Sequence, residues 1–282
     1  MKTISFRETV ISHLGEYKKN VMGIPEKGEY NYKGIIKYYD HILPKESFKE
    51  NILPQYREPF WKSCSIKRHR CFNHLNSSQA LCFNFLYPLI QENRLDEIGN
   101  LLNIPLGKNC TSQFEFPSDI EGSFKQTLKT NFDFYISSKD SNIYFEIKYT
   151  ETDFGRAKSD TNHIEKFYQV YKPLLDNNPY IRKECKTQDF FLKNYQIMRN
   201  IVHISEGNFV IFLVPEQNKN IYKQAKAVAE KILTDRESPL FRVALLEEWA
   251  KELTNIAGSN LQSYYTGFQE KYFPKHIPLA QE

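Results

Sequence analysis

The chain has 282 residues, 40% of them hydrophobic and 15% aromatic, enough for a sizeable core in one large or two small domains. A formal net charge of +4 excludes a general polycation, so affinity for nucleic acid has to come from local clustering. No apolar run approaches the roughly 18–20 residues of a membrane span. The five cysteines are irregularly spaced and no secretory leader opens the chain, which points to a reduced, soluble, cytoplasmic protein without a membrane role.

Residues 1–56 are rich in Tyr and Lys, with breaks at Pro25, Pro44 and Pro54. They read as short helices forming a mainly helical extension, used for packing or for DNA contact, ahead of one domain at 57–282. Residues 57–74, REPFWKSCSIKRHRCFNH, hold the densest positive charge, with Lys62, Lys67, Arg68 and Arg70 interleaved with Trp61 and Phe72. Such a run is either a solvated face or a set of phosphate contacts. Cys64, His69, Cys71 and His74 are too cramped for the usual zinc spacings.

Residues 77–93 predict a helix capped by Asn76, Ser77 or Ser78, with a broad apolar surface and a kink or end at Pro88. A short helix follows at 95–102. Residues 110–117 predict a strand with Phe114 and Phe116 on one face and Gln113 and Glu115 on the other. Glu115 is either an extra metal or water ligand or an exposed strand residue.

The stretch from Thr130 to Glu151, TNFDFYISSKDSNIYFEIKYTE, carries the most information. Asn131, Asp133 and Tyr135 alternate with Phe132, Phe134 and Ile136. Tyr144, Glu146 and Lys148 alternate with Ile143, Phe145, Ile147 and Tyr149. Strand side chains switch faces at every residue, so this is a hairpin with one apolar and one polar face, turning at Ser138–Ser141. Pairing Ser137 with Asn142 sets Asp133 opposite Glu146, and a one-residue slip would expose the apolar face. Two close carboxylates raise each other's pKa and call for a cation. Lys148 supplies one charge, and carboxylate oxygens plus water suit Mg²⁺. The plainer alternative is an ordinary cross-strand Glu/Lys pair.

The loop after the hairpin carries Gly155, Arg156 and Lys158. Residues 164–175 and 190–204 predict helices, the second bringing Gln196, Arg199, Asn200 and His203 to nearby positions. A lone helical His is more often packed than catalytic, and His203 is not assigned to the site. NFVIFLV at 208–214 reads as a strand buried on both faces. A helix at 220–233, a strand at 240–246 and a final helix from Glu247 complete an α/β sandwich with a mixed central β-sheet flanked by helices.

Asp133 with Glu146-Ile147-Lys148 resembles the PD-(D/E)xK nuclease superfamily, although Phe132 stands where a proline often precedes the Asp. The strings NSSQALCFNFLYPL, TNFDFYI and FEIKYTETDFG are similar to a bacterial restriction-endonuclease-like group, over residues 61 to about 215. The resemblance implies a restriction-endonuclease-like core. It implies that Asp133 and Glu146 hold Mg²⁺, with the carbonyl of Ile147 completing the set, and that Lys148 positions or polarises water. It adds Gln79 and Gln196 or Arg199 as accessory residues, and Glu151 as support for Lys148. Gln79 has the alternative of a helix-start hydrogen bond, and Glu151 of an exposed loop acid. The implied activity is a type II restriction-like endonuclease acting on double-stranded DNA as a homodimer, leaving 5′-phosphate and 3′-hydroxyl ends. The rivals are a repair, exonuclease or other defence nuclease on the same fold, a non-catalytic nucleic-acid-binding protein, and an interaction module.

Overall fold

The computed structural model describes residues 4–107, 109–122, 129–256 and 260–274. The chain divides into two compact units. One comprises 1–102, 215–218 and 245–282, and the other 103–214 and 219–244. Among the described residues no helix is long and apolar enough to cross a membrane.

The first unit is mainly helical. Helix α1, Phe6–Asn20, opens with a capping box in which Ser5 and Glu8 satisfy each other's backbone donors. A two-stranded antiparallel ribbon follows, β1 Gly28–Tyr32 and β2 Ile35–Tyr39. This corrects the expectation of short helices here. Lys33 and Gly34 both take positive φ, 52° and 85°, the turn that matches the twist of a two-residue hairpin. The Asn31 side chain accepts from Gly34 N–H at 2.9 Å and closes it. Helix α2, Pro54–Ser63, begins on a proline, whose fixed φ suits the first helical position.

Helix α3, Ser78–Gln91, is capped by Ser77 and runs through Pro88 without ending there. It is the centre of this unit, because every residue from Gln79 to Leu89 is buried. A helix apolar on all sides has to be covered all round, and helix α4, Asp96–Leu102, follows it. Helix α10, Leu246–Thr254, and helix α11, Leu261–Tyr272, complete the unit, and α11 packs on α3. Asn84 pins this packing. Its amide donates to Asn51 O at 2.8 Å and to the Tyr272 hydroxyl at 2.7 Å, and its oxygen accepts from Leu53 N–H at 2.8 Å. Asn84→Ala is therefore expected to cost about 1–3 kcal/mol for each buried group left unpaired, read as a lower urea midpoint of the full chain.

The second unit carries a five-stranded sheet in the order β3-β4-β5-β6-β7. The strands are β3 Thr111–Pro117, β4 Asn131–Ser137, β5 Asn142–Ile147, β6 Asn208–Val214 and β7 Phe241–Leu245. β3, β4 and β5 are antiparallel neighbours, while β5 and β6 run parallel, so the sheet is mixed. Ser137 pairs with Asn142, the register that the alternation of residues requires. Phe132, Phe134, Ile136, Ile143 and Phe145 are completely buried, and Ile147 nearly so.

Helix α5, Thr161–Lys166, passes through a π turn at Phe167–Tyr171 into helix α6, Lys172–Asn177. The single helix expected at 190–204 is two, α7 Gln188–Lys193 and α8 Tyr195–Ile201. Asn194 breaks it, with ψ at 37° and its side-chain amide turned back to Phe190 O. Helix α9, Lys219–Lys231, lies between β6 and β7 in the chain and packs on β6. The sheet-bearing unit is an α/β fold with a mixed sheet, the architecture expected from the order of elements.

Candidate active site

The polar face of the β4–β5 hairpin gathers the charged groups. The ladder between the two strands ends at Phe134 and Phe145. One residue further, the Asp133 carboxylate replaces the next backbone partner and accepts from Ile147 N–H at 2.6 Å. Asp133 is thereby tied to the middle residue of Glu146-Ile147-Lys148. Lys148 leaves the strand with its backbone N–H donating to Leu213 O of β6 at 3.1 Å. Its ammonium turns back to Glu146 Oε1 at 2.8 Å.

Helix α8 closes the other side of Glu146. Gln196 donates to Glu146 Oε1 at 2.7 Å and accepts from Lys148 Nζ at 3.1 Å. Asn200, four residues on and so on the same helix face, donates to Glu146 Oε2 at 2.8 Å. Both oxygens of a carboxylate only 3% exposed are thus held by fixed donors. Gln196 is one of the two α8 residues that the resemblance implies as accessory, and the four-residue spacing on the helix face is the sequence signal for Asn200.

Electrostatics set Asp133 apart from an ordinary surface carboxylate. Burial pushes the Asp133 carboxyl well above its usual range. The charge of Glu146 pushes it further, and Lys148 and the Ile147 N–H offset only part. Burial alone would lower the Lys148 ammonium, but Glu146, Glu151 and Asp133 together hold it above its ordinary value. The Glu151 side chain also accepts from Tyr149 N–H at 2.7 Å, which fixes it beside the strand end.

Glu115 aligns with Asp133 across β3 and β4. The ladder runs through Phe114–Phe134 and Phe116–Phe132 and skips the pair between them. Glu115 has φ of 50°, a left-handed conformation costly for any residue with a Cβ, and its charge adds to the repulsion on Asp133.

Other candidates hold other partners. Arg199 on α8 is directed to Thr130 Oγ1 at 2.8 Å, the Tyr171 hydroxyl at 3.1 Å and Glu121 Oε1 at 3.1 Å. Glu121 also takes Lys166 at 2.6 Å and the Tyr171 and Thr130 hydroxyls. This buried network escaped the sequence reading, because its acid sits in what looked like a polar connection between strands. His203 is packed against Phe132 and Tyr144, bonded to Ser118, and pushed by burial down to about 4. In the helical unit, the Gln79 oxygen accepts from His69 N–H at 2.9 Å and its amide donates to Lys67 O at 3.2 Å, pinning the basic loop. Lys62, Lys67, Arg68 and Arg70 belong to that unit and are all exposed.

Among the described residues no group of three or more His, Cys, Asp or Glu side chains is gathered so as to hold a metal ion. What the site offers is a pair of hard oxygen donors with excess negative charge, one ammonium and fixed amides. No curated protein and no solved structure matches the chain. One family model matches residues 11–273, nearly the whole length, and the chain belongs to that family, described as restriction endonuclease associating with ARP.

Proposed function

We propose that this protein is a Mg²⁺-dependent endonuclease of the type II restriction kind that hydrolyses phosphodiester bonds in double-stranded DNA. The observation that carries the reading is the Asp133–Glu146 carboxylate pair, held against Lys148 and backed by Gln196 and Asn200. Membership of a restriction endonuclease family gives DNA as the substrate class. The donor chemistry fits Mg²⁺: two carboxylates and the Ile147 carbonyl, with water filling the remaining positions. When bound there, the ion would neutralise charge developing on the phosphoryl group and lower the pKa of an attacking water.

The residues of the chain do the rest. Asp133 and Glu146 carry the negative charge that selects a cation over solvent. Gln196 and Asn200 hold the Glu146 carboxylate in one orientation, so it does not reorganise during the reaction. Lys148, kept protonated by three neighbouring acids, orients water or steadies a phosphate oxygen by donation. A cut through both strands requires two such sites, for which a homodimer is the simplest assembly.

The test uses plasmid and linear DNA with Mg²⁺, comparing the natural protein with Lys148→Ala. Discrete fragments that disappear in the variant are expected. Progressive shortening from ends would replace the endonuclease by an exonuclease, and DNA binding with no cleavage by either protein would remove the enzymatic reading.

A further inference from the structure

Among the described residues of the helical unit, the β1–β2 ribbon carries four of the six exposed large apolar side chains. Tyr32, Ile35, Ile36 and Tyr38 are 53%, 61%, 51% and 62% exposed. Tyr32 and Ile35 lie on one face of the ribbon and Ile36 and Tyr38 on the other, and exposed large apolar side chains gathered on one small element mark a surface that meets a partner. An isolated hairpin is marginal in water, but this one is fixed at its base. Gly28 N–H donates to Ile42 O at 3.0 Å, and a Cβ there would lie 2.5 Å from the carbonyl oxygens of Ile42 and Leu43, so only glycine fits. Arg70 donates to the Tyr30 hydroxyl at 2.8 Å, and His74 packs edge-on against the Tyr30 ring.

The charges identify the partner. Lys27 and Lys45 are neutralised by Asp40 and Glu29, whereas Lys33 in the turn and Lys37 at the middle of β2 are in no ion pair among the described residues. At the base of the ribbon, a cleft of about 370 Å³ is lined by Arg68, Arg70 and His69, together with the Lys45–Glu29 ion pair. The Arg68 guanidinium lies 3.9 Å from the centre of the Phe48 ring, and Trp61 is beyond it. A guanidinium laid on aromatic faces keeps its donor edge open and already oriented. An apolar ribbon carrying two lysines in no ion pair, beside a basic cleft, complements a polyanion whose bases have apolar faces.

We propose that the β1–β2 ribbon and the basic cleft at its base form the DNA-recognition element of this protein, with the ribbon entering a groove of the duplex. This rests on the nuclease reading for the identity of the polymer as DNA. Five residues per strand give a ribbon about 17 Å long, and a major groove about 12 Å wide admits two antiparallel strands. Lys33, Lys37, Arg68 and Arg70 hold phosphates, while Tyr32, Ile35 and Tyr38 meet base edges or wedge between base steps.

Binding of the full chain to a duplex of about three helical turns, followed by fluorescence anisotropy in EDTA, tests this apart from cleavage. Tyr32→Ser/Ile35→Ser/Tyr38→Ser is expected to weaken binding at least about tenfold with the unfolding temperature unchanged, since the three side chains are solvated. Lys33→Gln/Lys37→Gln is expected to reduce the slope of log affinity against log salt by about two. The proposal is overturned if the natural protein does not bind duplex, or if both variants bind like it. It is also overturned if the serine variant merely splits a dimer while each protomer keeps its DNA affinity. Lost binding in these variants, with cleavage unaffected by Lys148→Ala, would leave the ribbon standing and remove the nuclease centre. Unaltered binding with metal-dependent cleavage would do the reverse.

Discussion

Asp133→Asn is expected to slow Mg²⁺-dependent cleavage by at least about 100-fold, the scale for loss of one preorganised charge at a reacting phosphoryl group, and at the same time to raise the unfolding temperature of the metal-free protein. The two effects have one cause. Burial and the Glu146 charge hold the folded-state pKa of Asp133 well above its ordinary value of 3.8. A carboxyl raised in this way contributes stability that is complete below the ordinary value and is lost as pH climbs through the raised one. As pH rises above the ordinary value, the acid is therefore a growing cost to the metal-free fold. Asparagine has no charge to lose, and its side-chain oxygen can still accept from Ile147 N–H, so the backbone tie survives. Calorimetry in EDTA between pH 4 and pH 8 should show the variant pulling ahead of the natural protein as pH rises. Mg²⁺ should then raise the midpoint of the natural protein and leave the variant nearly unmoved. A variant less stable than the natural protein at pH 8 would show that the carboxylate is satisfied without a cation.

The hairpin was legible because its alternation leaves one permissible register. Ile136, Ile143 and Phe145 can be buried together only if Ser137 pairs with Asn142. The continuous apolar run at 208–214 was legible for the same kind of reason, as β6 lies between β5 and β7. The ribbon at 28–39 was not, since its alternation is of Tyr, Lys and Ile exposed on both faces, and prolines before and after it suggested broken helices. Its signal was the Lys33-Gly34 turn. Within the site, strand parity brings Asp133 and Glu146 to one face, but the choice between Gln196, Arg199 and Asn200 depends on the rotation of α8. That rotation is set by a break at Asn194 and by the partners of Arg199, which are remote in sequence. Glu121, the acid that Arg199 reaches, lies 78 residues away, and no local pattern announces it.

Glu121→Ala should be the most destabilising single substitution in the sheet-bearing unit, by about 3–5 kcal/mol, because it leaves buried cations without their counter-ion. Glu121 is 3% exposed and answers Lys166, Arg199, Tyr171 and Thr130 together. Burial alone would raise its carboxyl, but the donation from Lys166, Thr130 and Tyr171 and the charge of Arg199 carry it down to about 2. A depressed carboxyl stabilises fully above its ordinary value of 4.5 and loses that contribution as pH falls through about 2. The natural protein should thus keep this contribution down to mildly acid pH, and the difference from the variant should shrink only below that. Lys166→Met added to Glu121→Ala should recover part of the loss, as a chemical-denaturation double-mutant cycle would read. The consequence reaches the site through α8. Arg199 anchors that helix to Glu121, while Gln196, one turn before it, and Asn200, the next residue, hold the two oxygens of Glu146. Glu121→Gln, which keeps an acceptor while removing the charge, should be milder in stability and still slow cleavage. Full stability loss in Glu121→Ala with an unchanged cleavage rate at low temperature would show that Glu146 keeps its orientation without the network, and that Arg199 serves the fold alone.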